Sequence, residues 1–166
     1  MQRHPGVTVG TVKNVDDPEK LGRVQLVFPK LGGVASTWAP IATFMAGPDR
    51  GGFYMPEVDD EVLVAFEEGD FDHPYVVGFL WNGKDRPPTD DVNLRLFRSV
   101  NGHEIAVYDP EVAGGDKGYI RLKDAHGNVV ELSNAQIVIR SVGTIIIQAP
   151  NIIINGRPVV PQPRPI

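Results

Sequence analysis

No cysteine occurs in the 166 residues, which excludes disulfides, thiolate metal sites and cysteine nucleophiles. Basic blocks are missing too, and the formal charge is −5, which speaks against a groove that tracks phosphates. No apolar run approaches the roughly 18 residues of a spanning helix, and the N-terminus lacks a charged-then-apolar leader. The expectation is a chain made in the cytoplasm without a signal peptide. Helical periodicity is absent throughout. No Gly-x-Ser-x-Gly, P-loop or dinucleotide fingerprint is present, and "GPDRGG" (47–52) lacks the Lys-Ser/Thr that phosphate binding wants. The four histidines, His4, His73, His103 and His126, show no metal-ligand spacing. No catalytic residue, metal site or cofactor is expected.

What is abundant is glycine (18) and proline (15), which implies many turns and short extended segments. The first half alternates apolar and polar residues over five stretches: 6–15, 22–28, 37–45, 60–67 and 74–81. Turn residues separate them in "DDPEKLG", "PKLGG", "GPDRGG" and "EEGDFDHP". Five short strands in about 80 residues, with one long connection after the third, predict a small closed barrel of OB type. A polar link with two prolines, "NGKDRPPTDDVN" (82–93), then marks a boundary. The domain division is 1–83 for the barrel, 84–93 for the linker, 94–156 for a second β-region and 157–166 for a proline-rich end.

The second region is a string of very short strands with a rhythm. Ile120/Leu122, Val130/Leu132, Ile137/Ile139, Ile145/Ile147 and Ile152/Ile154 recur as alternating pairs, the last four beginning 7, 8 and 7 residues apart. In "SVGTIIIQAPNIIING" (141–156) six isoleucines fall within ten residues, a segment that would aggregate if left exposed. A single-chain β-helix needs about 20 residues or more per coil. Seven or eight supply about a third of one. Three chains wound together would close the core and leave few free edges. The expected fold is therefore all-β: an OB barrel followed by an intertwined trimeric β-helix with those ten residues as its core. An antiparallel meander packed on the barrel is the simpler alternative. After Ile154 the alternation stops, and four prolines in the last nine residues predict that strand pairing ends there.

In its motifs the sequence resembles the central spikes of contractile injection machines: phage baseplate assembly protein V, VgrG spikes of type VI secretion and the spikes of extracellular injection systems. The barrel motifs are "GVTVGTV" with Gly6 and Gly10, "GRVQLVFP" (22–29), "WAPIA" (38–42), "GGFYMPEVDDEVLVAFEEGD" (51–70) and "HPYVVGFLWNG" (73–83). The needle motifs are "RSVNGHEIAVYD" (98–109) and "GYIRLKDAHGNVVEL" (118–132), with "DAHGN" a hairpin-type turn. Asp59 stands where that family often has glycine. The resemblance implies a structural, non-enzymatic homotrimer that docks on the tail tube or hub and baseplate proteins. Its needle would make transient contact with a target membrane on sheath contraction, and it would be assembled into a phage tail or injection particle. It also implies a PAAR-type cap at a tip formed by Gly156, Arg157, Pro158, Val159 and Val160. The His-x-His iron motif of some phage spikes is absent, since no histidine follows His126.

Two other readings compete. Trp38, Phe44, Phe53, Tyr54, Phe79 and Trp81 could stack single-stranded nucleic acid, or a glycan could bind, on an OB surface. The negative charge disfavours nucleic acid as a partner. The acidic clusters "EVDDE" (57–61) and "EEGDFD" (67–72) could serve a hydrolase, but solvated loop charges are the better explanation of them.

Overall fold

The computed structural model describes residues 4–111 and 115–159. All regular structure in them is β apart from two single 3-10 turns, Pro29–Leu31 and Glu67–Gly69. The chain divides into two compact units, Met1–Pro87 and Pro88–Ile166.

In the first unit, β1 (Val7–Asn14), β2 (Val24–Phe28), β3 (Val34–Ala39), β6 (Glu61–Phe66) and β7 (Pro74–Phe79) form one antiparallel sheet in the order β3-β2-β1-β6-β7. A small hairpin, β4 (Ala46–Gly47) with β5 (Arg50–Gly51), rises from the long connection between β3 and β6. The sheet curls until its ends meet. Val76 N–H donates to the Pro40 carbonyl at 2.9 Å, and Ala42 N–H donates to the Val76 carbonyl at 2.8 Å. The result is the five-stranded barrel expected. Strict alternation aims Val24, Leu26 and Phe28 inward, to meet Val12, Val62, Val64, Phe66 and Val76. Phe28, Phe66 and Phe71 close one end with ring centroids 5.4 to 5.5 Å apart. Gly10 lets β1 cross this core closely, since a Cβ there would sit 3.2 Å from the Phe28 ring.

The third strand differs from its expected range. It starts at Val34, directly after the left-handed Gly32–Gly33 turn, and stops before Pro40. Proline has no N–H to continue a ladder, and the carbonyl of Pro40 serves the barrel closure instead.

Asp59 takes φ +77°, the left-handed conformation that glycine adopts freely, and its N–H reaches the Val12 carbonyl at 2.8 Å. The turn is therefore the glycine turn carried by a strained aspartate. Asp59→Gly should stabilise the barrel by about 0.5 kcal/mol, the left-handed penalty less the extra chain entropy of glycine. A thermal melt of the variant checks this, and an unchanged or lower midpoint counts against it.

In the second unit, β8 (Leu94–Arg98), β9 (Glu104–Tyr108), β10 (Tyr119–Lys123), β11 (Val129–Ser133) and β12 (Gln136–Arg140) make a sequential antiparallel meander. A tight left-handed pair, Asn134–Ala135, joins β11 to β12. Asp124 organises the β10–β11 turn by accepting the N–H groups of His126 and Asn128 at 3.0 and 2.8 Å. Its pKa is lowered, chiefly by the Asn128 side chain. Gly118 sits where a Cβ would run into the Tyr108 carbonyl oxygen. Within one chain, then, 94–140 is an antiparallel meander, the simpler of the two arrangements expected.

Residues 141–152, including the expected strand at 144–149, belong to no strand in the isolated chain. Among the described residues no strand pairs with them, and an extended segment without a pairing neighbour has nowhere to place its ladder hydrogen bonds. Beyond them the chain departs from the expectation that pairing ends at Ile154. β13 (Ile153–Ile154) turns at Asn155–Gly156 (φ +49° and +74°) and pairs with β14 (Arg157–Pro158). Val159 N–H closes the hairpin on the Ile152 carbonyl at 2.7 Å. Pro158 is tolerated because it lies on a strand edge.

Candidate functional site

The meander has two faces of opposite character. Cross-strand register places Phe97, Ile105, Leu122, Val130 and Ile139 in one row. Val107, Ile120, Leu132 and Ile137 lie in a second row on the same face. Six of the ten expected core residues, Ile120, Leu122, Val130, Leu132, Ile137 and Ile139, thus share one surface, joined by three residues the rhythm did not include. The signal for those three was present: Phe97, Ile105 and Val107 alternate in "LRLFR" and "EIAVY", but they lie outside the regular spacing. Arg95, opposite Val107, is the charged member of this face.

That apolar face is the wet one. Its nine residues are 37 to 70% exposed. The opposite face closes over itself: Ala106 and Val129 are buried beneath charged side chains that pair across strands. Arg121 bonds Glu131 at 2.7 Å and lies 3.9 Å over the Tyr119 ring, which stacks on Tyr108. Glu104 faces both Arg98 and Lys123, at 3.6 and 3.7 Å. Glu131 is held below the usual carboxylate range by the Ser133 hydroxyl first and by Arg121 second. Its polar face is tied together by ion pairs, and its apolar face is open to solvent. Half-burying one such residue is worth roughly 1 kcal/mol, so nine of them represent a large unspent driving force for association.

The other expected core residues continue this exposure. Ile145 and Ile147 are exposed on the strandless segment, Ile152 is half-buried, and Ile154 is exposed in the terminal hairpin. Gly156, Arg157, Pro158 and Val159 form the turn and return strand of that hairpin. Val160 lies outside the described residues.

The alternative sites resolve into turn chemistry. Asp70 accepts the Asp72 N–H and contacts His73 at 3.1 Å, and its pKa is lowered by these two in that order. Glu67 accepts the Tyr75 hydroxyl at 3.0 Å. Asp60 accepts the Glu57 N–H at 2.8 Å. These are the contacts of loop carboxylates. Among the described residues no group of three or more His, Asp or Glu is placed to hold a metal ion. Phe44, Phe53 and Trp81 are exposed and Trp38 is half-buried.

The fold defines an OB-barrel protein that also carries a five-stranded β-sheet with one exposed apolar face. Residues 8–81 match the type VI secretion system/phage-baseplate injector OB domain. The chain is similar to the type VI secretion system spike protein VgrG5 of Pseudomonas aeruginosa, 32% identical over 69% of this chain and 14% of that protein. It is also similar to VgrG2a (32% identical; 52% of this chain, 11% of the relative) and VgrG1a (33% identical; 58% and 16%) of the same organism. The barrel of this chain belongs to the OB-domain family shared by VgrG spikes and phage baseplates. The matched stretch is a small part of each of these relatives, 16% or less of their length.

Proposed function

We propose that this chain is a structural subunit of a homotrimeric spike at the centre of a contractile tail or injection-system baseplate. The observation that carries the reading is the single exposed apolar face of the β8–β12 sheet. Three such sheets, each turning that face to a common axis, make a closed three-sided prism with the charged faces outward. Two sheets face to face would bury the same residues, but they would leave 141–152 without neighbours. Around a three-fold axis the isoleucine segments of three chains can pair with one another as an intertwined β-helical needle. Ile145, Ile147, Ile152 and Ile154 then extend the core that Ile120 to Ile139 begin.

Such a spike works by stiffness and needs no active site. Barrel units dock on the tube or hub and on baseplate proteins, and the needle meets the target membrane when the sheath contracts. At the tip, the Asn155–Gly156 turns of three chains form one platform for a single PAAR-type cap. The particle that carries the spike is a phage tail or another contractile injection system. Light scattering of the dilute full-length protein tests the assembly. The expected mass is three times 18.1 kDa; a stable folded monomer would sink the reading.

A further inference from the structure

One groove on the barrel unit carries chemistry that the spike reading leaves unused. Tyr54, Phe79 and Trp81 line a depression of about 380 Å3 together with three acidic residues, Asp60, Glu61 and Asp85. Strand pairing builds it: Val62 lies opposite Phe79, and Leu80 N–H bonds the Glu61 carbonyl at 3.0 Å. The start of β6 is thereby set against the end of β7. Asn82 fixes Asp85, donating to its carboxylate at 3.0 Å and accepting its N–H at 2.7 Å. No lysine or arginine lines the groove, and among the described residues none pairs with these three acids. Trp81 is 67% exposed.

We infer that this groove binds an arginine side chain carried on an extended segment of another protein. Three carboxylates without a cation repel phosphate and nucleic acid. A purely apolar segment would have to strip water from those carboxylates without compensating them. A guanidinium answers both parts of the lining. Its plane stacks on an indole face, the best of the aromatic partners for a cation, while its fork donates to carboxylates. Lysine offers the charge but not the plane. The inference stands on the barrel alone and is independent of the trimer.

The test uses the full-length protein with the peptide acetyl-Ala-Pro-Arg-Pro-Ala-amide and its citrulline counterpart, which keeps the shape and loses the charge. Calorimetry should give saturable binding of the arginine peptide, roughly tenfold weaker with citrulline, as expected for losing one cation contact. Glu61→Gln and, separately, Asp85→Asn should weaken the arginine peptide to a similar degree at unchanged melting temperature, and Trp81→Leu should remove binding. Absent saturation, equal affinity for the citrulline peptide, or parent-like binding by both acid variants each overturn the inference. So does dissociation of the oligomer in Glu61→Gln, since the occupant would then be a second copy of this chain.

Discussion

Leu132→Asp is expected to abolish the proposed trimer while leaving the subunit folded. Leu132 sits mid-sheet between Ile120 and Ile137 on the exposed face, so in a lone chain its carboxylate stays in water and costs little. In the proposed prism three carboxylates meet in a dry core, where an unpaired charge costs far more than the contacts return. Ile147→Asp should behave in the same way further along the needle. Milder truncations are graded: each Ile→Ala costs roughly 2–5 kcal/mol per chain where burial is complete, felt three times per trimer. Gln136→Asp, on the opposite face of the same sheet, should keep the trimer. Light scattering and melting curves of the three variants decide. A trimer retained by Leu132→Asp, or lost by Gln136→Asp, would mean that the other face of the sheet looks inward.

Asp17→Asn should weaken the acid sensitivity of the barrel and lower its melting temperature. Asp17 is only 4% exposed, in the connection from β1 to β2. Its carboxylate takes a two-pronged contact from the Arg23 guanidinium at 2.9 and 2.8 Å. It also accepts the N–H groups of Glu19 and Leu21 at 3.1 and 3.0 Å, and that of Arg23 at 3.3 Å. Arg23 first, and these N–H groups with it, hold its pKa far below the ordinary 3.8, against the opposing effect of burial. The folded state therefore prefers the ionised form more strongly than the unfolded chain does. The stabilisation is complete above pH 3.8 and drains away as pH falls from there through the folded-state pKa. Asparagine keeps one acceptor oxygen and loses the charge, so the variant should be less stable at neutral pH. Its stability should also fall less steeply below pH 3.8. Parallel acid-dependent slopes for parent and variant in thermal melts would contradict this account.

The barrel was legible because each strand carries its own instruction. "RVQLVF" buries alternate residues whatever lies beside it, and glycine pairs such as Gly32–Gly33 mark where the chain reverses. The apolar pairing from Ile120 to Ile139 was legible for the same reason, since period two assigns one face. Less visible was the small hairpin end. Asn155-Gly156 is a strong two-residue turn signal, yet the prolines after it suggested that pairing stops, and an edge strand accepts Pro158 without loss.

By itself the sequence determined that this protein is all-β, that a five-stranded barrel comes first, and that the alternating residues from Ile120 to Ile139 share one apolar face. Alternation and turn residues act locally and survive without knowledge of the fold. Only the tertiary structure decided what lies beside what. It laid 94–140 out as a meander and added Phe97, Ile105 and Val107 to the stripe. It covered the charged face with that face's own ion pairs and left the apolar face open to solvent. It also brought Glu61 beside Phe79 and Trp81, residues far apart in the chain, through a ladder that no local pattern encodes. Register between strands is set by the sum of many weak cross-strand contacts, and a sum of that kind cannot be read from any one segment.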